Sequence, residues 1–255
     1  MNPPKDLSQA TVSVEPSDAS PIMGVATPSA SGPMPPMPQP LDVPVSHTRP
    51  GYRIAKRALD LTASSVGLVI LSPLLAGIAA AVRLDSPGPI LFRQERLGLG
   101  GRPFACFKFR TMISSADEGQ HQRHVSRLMK HGDGARERAW IPIEGDERVT
   151  NVGRFLRRSH LDELPQLLNI VKGDMSLVGP RPPIPYEVEL YEPWHLRRLS
   201  VLPGLTGLWQ VVGWGRLSFD EGVKLDLDYV ERRSFGLDVR IIVRTLWQIV
   251  RGRQF

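Results

Sequence analysis

One long stretch of the chain, residues 61–82, contains no charged residue. As a continuous helix its roughly 22 residues would extend about 33 Å, enough to cross the hydrocarbon core of a bilayer. A core helix of a water-soluble domain rarely runs this long without a polar face. The pattern therefore predicts a membrane helix, with a buried core helix as the alternative.

Ser72-Pro73 lies near the middle of this apolar stretch. Proline has no backbone N–H to donate and disfavours helical geometry in the residue before it, so the helix is expected to break there, with protein groups or a serine hydroxyl satisfying the opened backbone. Basic residues precede the stretch between residues 49 and 57 and follow it from Arg83 onwards, and this is the charge preference of a cytoplasmic loop at both ends. We predict a helix that enters the membrane, breaks at Ser72-Pro73 and returns to the same face. A kinked spanning helix is the alternative.

The remaining pattern predicts a β-hairpin followed by helices. Residues 90–95 and 104–110 alternate in polarity around a glycine-rich stretch at 98–101, which favours two strands joined by a turn. Helical periodicity follows over residues 153–159, 161–172, 185–200, 219–235 and 237–253. The last segment has an apolar stripe with arginines on its other faces, which suits either a basic helix on anionic lipid or a stripe packed on the domain core.

These elements predict a mainly helical α+β protein in three parts. Residues 1–50 are rich in proline and methionine, lack the apolar density to fold and are not a cleavable signal peptide, so we expect a disordered tail. Residues 51–84 form the re-entrant membrane helix, a helix-break-helix. Residues 85–255 form a small cytoplasmic catalytic domain with the hairpin and amphipathic interfacial helices.

Charge narrows the class of partner. Residues 1–48 carry a net charge of −3, and subtracting this from the +6 of the whole chain leaves +9 for residues 49–255. Such a surplus suits nucleotides, anionic lipid or nucleic acid. The neighbouring apolar stretch favours lipid over nucleic acid, and the single cysteine excludes an internal disulfide.

Two adjacent carboxylates, Asp162 and Glu163, are the candidate reactive groups. Neighbouring side chains on a helix point to different sides, so one acid can attack phosphorus while the other holds a divalent cation. The structural alternative is a helix start, in which Ser159 is the N-cap and Asp162 its capping partner. On these residues alone the structural alternative is favoured.

Basic residues around this pair change the balance. A loop rich in proline and glycine holds Arg181, whose planar guanidinium suits a diphosphate. Lys108 and Arg110, at the end of the hairpin, supply further positive charge. Together with the membrane helix, these residues describe a site for an anionic nucleotide substrate whose leaving group must be stabilised.

Five motifs in order resemble the bacterial sugar transferase family, the monotopic phosphoglycosyl transferases that act on polyprenyl phosphate. The resemblance covers about residues 52 to 251 and includes the undecaprenyl-phosphate galactose or glucose phosphotransferases of exopolysaccharide synthesis. The motifs are KRALD at 56–60, KFRTM at 108–112, LDELPQL at 161–167, GDMSLVGPRP at 173–182 and PGLTGLWQV at 203–211.

The resemblance implies a reaction in two steps at the inner membrane, with the catalytic domain on the cytoplasmic face. Asp162 attacks the β-phosphorus of a UDP-sugar and expels UMP, and undecaprenyl phosphate then accepts the sugar phosphate. By the same resemblance Glu163 helps to bind Mg²⁺, and Arg157, Arg181 and Lys108 contact phosphate groups. A catalytically inactive membrane scaffold of a polysaccharide assembly complex is the alternative. These motifs do not identify the transferred sugar. They also do not identify the oligomeric state, for which a homo-oligomer is one option.

The chain departs from the family after its last motif. Many members carry Gly-Arg there, and that arginine is associated with phosphate binding. This chain has Gly213-Trp214-Gly215-Arg216. We expect Arg216 to substitute from two residues away, and the alternative is that Trp214 stacks on a ring of the substrate.

Overall fold

The computed structural model describes residue 41 and residues 43–46, 49–113, 146–213 and 217–251. These residues form a mainly helical fold with a β-hairpin, as predicted, and a second pair of short strands. Residues 1–40, which make up most of the predicted tail, lie outside the described residues, and the division into three parts stays a prediction. The helices are α1 (Pro50–Ile70), α2 (Ser72–Asp85), α3 (Asn151–Ser159), α4 (Gln166–Lys172), α5 (Pro185–Val188), α6 (Leu208–Gly213), α7 (Phe219–Arg232) and α8 (Phe235–Val250), and the strands are β1 (Leu91–Leu97), β2 (Pro103–Phe109), β3 (Ser176–Val178) and β4 (Gly204–Thr206).

Helices α1 and α2 form a bent pair whose axes differ by 63°. Pro73 has no N–H to donate to the carbonyl of Val69, four residues before it. The Ser72 hydroxyl donates to that carbonyl instead, at 2.7 Å. The predicted break is therefore confirmed, and the serine satisfies the opened backbone.

Among the described helices, none alone is both long and apolar enough to cross a bilayer, but α1 and α2 together reach that length and composition. Both helices expose large apolar side chains: Ile54 is 72% exposed, Ile70 70% and Leu84 87%. Membrane insertion and the return to the same face stay predictions.

The bent pair rests on the hairpin and the short helices behind it. Strands β1 and β2 are antiparallel, with Leu91 opposite Phe109 and Leu97 opposite Pro103. One core cluster joins Phe104 and Cys106 of β2 to α4, and a second joins Phe109 to α2 and α3. Leu68 of α1 packs against the first cluster and Ile78 of α2 belongs to the second, so both helices of the bent pair pack on the same hairpin.

Polar side chains of α1 fix it to the rest of the domain. Arg57 donates to the carbonyls of Ile170 at 2.7 Å and Val171 at 2.9 Å, near the C-terminal end of α4. Asp60 is fully buried and accepts the backbone N–H of Leu177 at 2.9 Å. The KRALD motif thus has a structural role.

A second anchor centres on Asp238 in α8, whose carboxylate is completely buried. It accepts from Tyr52 at 2.9 Å and from Lys56 at 3.1 Å, both on α1, and from Tyr229 of α7 at 2.7 Å. The Lys56 ammonium also donates to the carbonyl of Val178 at 3.0 Å. One buried carboxylate therefore joins three helices.

Several predicted helices are shorter than their periodicity suggests. The segment 161–172 is a 3₁₀ turn at Leu161–Glu163 followed by α4, because Pro165 cannot donate within a continuous helix. The segment 185–200 is divided in the same way around Pro193 into α5 and a 3₁₀ helix at His195–Ser200. The parallel pair β3–β4 was not predicted, because three-residue strands leave no clear period in the sequence.

Helix α8 packs on the domain through one side only. Asp238 and Ile241 are buried there, whereas Val243, Leu246 and Val250 of the apolar stripe are 58–81% exposed. The interpretation of this stripe as a core-packing face is therefore wrong for most of its length. Contact with lipid stays a prediction.

Candidate active site

The acidic pair lies on a tight turn that a left-handed residue creates. Helix α3 ends at Ser159, and His160 has φ 57° and ψ 15°, which turns the chain into the 3₁₀ segment containing Asp162 and Glu163. Non-glycine residues seldom adopt this region. The Ser159 hydroxyl donates to the carbonyl of Phe155 at 2.8 Å, so Ser159 belongs to the end of a helix and the N-cap alternative is wrong.

Glu163 is the centre of a charge cluster. Its Oε1 accepts from Lys108 Nζ of β2 at 2.6 Å and lies 4.0 Å from a guanidinium nitrogen of Arg181, in the loop after β3. Burial alone would raise the pKa of Glu163, but the two cations outweigh it and hold that pKa below its usual range. Glu163 is therefore ionised, and three predicted site residues lie together.

Asp162 is more deeply buried than Glu163 and forms no ion pair with any other described residue. Burial raises the pKa of Asp162, and the charge of Glu163 raises it further, against the opposing effects of Lys108 and Arg157. A poorly solvated carboxylate of raised pKa is a stronger base and a better nucleophile than an exposed one. The two acids thus have different electrostatic surroundings.

Arg157 approaches the pair from α3. Its Nε donates to the hydroxyl of Thr111 at 2.9 Å, and its charge acts on Asp162. Burial lowers the pKa of Arg157, and the negative charge of Asp162 opposes that shift. The charge of Arg157 thus acts on Asp162 from α3, while Lys108 and Arg181 lie beside Glu163.

Arg110 is not part of this cluster. Its guanidinium donates to the carbonyls of Ser86 at 2.6 Å and Pro89 at 2.6 Å, and to the Ser86 hydroxyl at 2.9 Å. It therefore caps the C-terminal end of α2 and does not face the acidic pair. Arg216 and Trp214 lie outside the described residues.

The donor set suits a magnesium ion that is shared with substrate. No group of three or more potential metal-ligating side chains occurs in the part of the chain that the structure describes. Mg²⁺ commonly takes one or two carboxylates and completes its octahedron with waters and substrate phosphates. The adjacent carboxylates of Asp162 and Glu163 fit that pattern.

A narrow cleft of about 10 Å³, room for one water-sized group, lies beside Glu163. Its lining includes two side-chain amides that the sequence analysis did not assign, Gln166 and Gln210. Both glutamines occur within recognised motifs, LDELPQL and PGLTGLWQV, so the motifs were the available signal. The other polar lining residues are Arg96, Lys108, Glu163 and Arg181.

A buried ion pair supports the loop that carries Arg181. Arg198 and Asp226 are almost completely buried and form an ion pair. Arg198 also donates to the carbonyl of Arg181 at 3.3 Å and to the Tyr191 hydroxyl at 3.0 Å. Sequence reasoning missed this pair because its partners are 28 residues apart.

Comparison with known proteins agrees with the motifs. A family model described as bacterial sugar transferase matches residues 51–252. Galactosyl transferase CpsE of Streptococcus agalactiae is 41% identical over 202 residues, which is 79% of this chain and 43% of CpsE. Exopolysaccharide production protein ExoY of Rhizobium meliloti is 41% identical over 200 residues, covering 78% of this chain and 86% of ExoY. The UDP-glucose:undecaprenyl-phosphate glucose-1-phosphate transferase of Caulobacter vibrioides is 41% identical over 204 residues, covering 76% of this chain and 68% of that protein.

Proposed function

The chain belongs to the bacterial sugar transferase family, and on this basis we propose that it transfers a sugar-1-phosphate from a UDP-sugar to undecaprenyl phosphate. The relative from Caulobacter vibrioides is named for this type of reaction with UDP-glucose, which supports the proposal. The observation that carries it is the Asp162–Glu163 pair, held beside Lys108 and Arg181 and close to the bent helix pair. The reaction initiates the synthesis of an exopolysaccharide or another glycoconjugate.

In the first step an oxygen of Asp162 attacks the β-phosphorus of the UDP-sugar. A new O–P bond forms between the carboxylate and the phosphosugar, and the bond from that phosphorus to the bridging oxygen breaks. UMP leaves with the electron pair of the broken bond. The desolvated surroundings of Asp162 suit this role, because the carboxylate is not stabilised by an ion pair of its own.

The neighbouring charges prepare the site for this step. Glu163, with the substrate phosphates, would hold Mg²⁺, and the ion would neutralise charge on the diphosphate oxygens. Lys108 and Arg181, which lie beside Glu163, would offset the negative charge that accumulates on the leaving UMP. Arg157 acts on Asp162 from the opposite element, α3, and assists with phosphate binding.

In the second step the phosphate of the lipid regenerates the enzyme. An oxygen of undecaprenyl phosphate attacks the same phosphorus, and the bond to Asp162 breaks. The product is a sugar joined to the lipid by a diphosphate, and the carboxylate is free again. For this reaction we propose that the bent helix pair lies in the inner membrane and the acidic pair at its cytoplasmic face.

The decisive experiment measures UMP release and intact protein mass together. Purified protein is incubated with Mg²⁺ and a panel of UDP-sugars, with and without undecaprenyl phosphate. The parent is expected to gain the mass of one phosphosugar without the lipid and to turn over with it. Asp162→Asn should show neither, whereas Asp228→Asn, at an exposed ion pair on α7, should behave as the parent.

Two results would count against the proposal. Turnover retained by Asp162→Asn would exclude Asp162 as the nucleophile. Absence of UMP release by the folded parent with every UDP-sugar tested would instead favour the inactive scaffold.

A further inference from the structure

The cleft beside Glu163 contains two amide groups that no other part of the described structure uses. Gln166 is the first residue of α4, three residues after Glu163, and only 3% of it is exposed. Its side-chain amide forms no hydrogen bond with any residue in the described ranges. Its polar atoms are not among those sealed from solvent, so a ligand from outside the chain can reach them and form hydrogen bonds.

Gln210 of α6 presents the second amide. Its Oε1 is inaccessible to solvent and has no hydrogen-bond partner among the described residues. Like Gln166, it lines the cleft together with Lys108, Glu163 and Arg181. Two amides from different helices, neither hydrogen-bonded to a described residue, therefore line one cleft. The Gln210 oxygen is the unusual one, because most buried polar atoms are hydrogen-bonded.

The chemistry of amides indicates a neutral ligand. Each amide offers both donors and an acceptor, as a sugar hydroxyl also does, whereas phosphate oxygens are served by the cations on the other part of the lining. The cleft volume of about 10 Å³ is room for one water-sized group, so the cleft suits hydroxyl groups that project from a larger substrate and not a whole ring.

Position favours the sugar over the base. The cleft is lined by Lys108, Glu163 and Arg181, the residues that the proposed function assigns to the diphosphate, so the cleft lies beside the diphosphate. In a UDP-sugar the transferred sugar is bonded directly to the β-phosphate, while the α-phosphate and ribose separate the uracil from it. We infer that Gln166 and Gln210 form the subsite that binds hydroxyl groups of the transferred sugar. The inference rests on the proposed function.

Methionine substitutions test this subsite, because methionine keeps the length of glutamine and removes its hydrogen bonds. For Gln166→Met and Gln210→Met, kcat/KM for the preferred UDP-sugar should fall about 10-fold, which is the loss of one hydrogen bond to substrate. For at least one variant, kcat/KM for the C4 epimer or for a deoxy analogue should fall less than kcat/KM for the preferred UDP-sugar. The variant then discriminates less between the preferred sugar and its analogue. Inhibition by UMP should stay unchanged, since UMP lacks the sugar.

Gln248→Met is the matched control, because that amide donates to the carbonyl of Val211 and does not line the cleft. Thermal melting confirms folding, and if Gln166→Met does not fold, Gln210→Met decides alone. An equal loss of kcat/KM for all UDP-sugars together with weaker inhibition by UMP would assign the amides to the nucleoside and overturn the inference. Unchanged discrimination between the sugars would overturn it as well. A parent without any turnover would contradict the proposed function instead, so the two failures are distinguishable.

Discussion

Replacing Asp238 with leucine tests how the bent helix pair is held on the catalytic domain. The substitution removes the acceptor that Tyr52, Lys56 and Tyr229 share. The Lys56 side chain is only 14% exposed and Tyr229 is 2% exposed, so water cannot readily replace the lost carboxylate. Lys56 and Tyr229 keep the carbonyl of Val178 as an acceptor, but the Lys56 ammonium is left without a counterion.

The expected loss in the free energy of unfolding depends on which group is left unpaired. Removing one partner of a buried ion pair costs about 3–5 kcal/mol, which is the expected loss in the free energy of unfolding for Asp238→Leu. Lys56→Met should cost about 1–3 kcal/mol, because Asp238 keeps two hydroxyl donors. The double variant should be no less stable than Asp238→Leu, since the stranded ammonium is gone. The coupling energy is then about 1–3 kcal/mol.

Chemical denaturation in one detergent, followed by tryptophan fluorescence, measures these four proteins. Arg197 and Glu231 supply the control cycle, because their ion pair joins side chains that are 60% and 59% exposed. An exposed pair couples by about 0–1 kcal/mol. If the Lys56 and Asp238 effects add to within about 0.5 kcal/mol, the two residues are independent and the anchor does not exist.

Three further outcomes are expected. Arg198→Lys keeps a positive charge beside Asp226 but loses the guanidinium fork that reaches the carbonyl of Arg181. We expect kcat/KM to fall about 10- to 100-fold at an unchanged melting temperature, and undiminished UMP release would contradict this. Adding Mg²⁺ to metal-free protein between pH 3.8 and neutrality should release protons, because burial raises the pKa of Asp162 above 3.8 and a bound cation favours its carboxylate form. A pH-indicator dye measures the released protons, and Asp162→Asn should release fewer of them. Pro73→Ala combined with Ser72→Ala should straighten the bent pair into a spanning helix. A cysteine introduced at residue 51 should then react with an impermeant maleimide added outside spheroplasts. Identical labelling of this cysteine in the parent and in the variant would refute the re-entrant prediction.

Features set by local chemistry could be predicted from the sequence. Pro73 breaks the apolar helix because it cannot donate, and the serine before it satisfies the carbonyl that is left. The hairpin follows from alternating polarity and glycines that tolerate positive φ, here Gly100 at 66°. In each case the cause lies within a few residues of its effect.

Arg110 shows where such reasoning fails. It stands two residues after Lys108, and a strand of period two would point both cations to one side. Strand β2 ends at Phe109, however, so the alternation stops before Arg110, whose guanidinium caps α2 instead. Where a strand ends depends on its partner, β1, and on the packing of α2, and neither is visible in the local pattern.

The unassigned glutamines illustrate a related limit. A glutamine in a motif is equally compatible with packing, capping or recognition, and only its surroundings choose among these roles. Gln166 becomes informative because α4 buries it and offers its amide no partner, and Gln210 because its oxygen is inaccessible to solvent. Both facts depend on elements that are distant in sequence.

The anchors of α1 connect the bent helix pair to the acidic pair within one fold. Arg57 binds the C-terminal end of α4, which begins three residues after Glu163. Asp60 binds Leu177 in β3, the strand that leads to Arg181. The two flanks of the charge cluster are thus tied to the same face of one helix. A reaction that joins a nucleotide-linked sugar from water to a lipid phosphate needs both substrates at one phosphorus. For the proposed reaction, the anchors of α1 would hold the acidic pair near the bent helix pair without a moving domain, so that proximity held by the fold replaces the entropy cost of bringing the two substrates together.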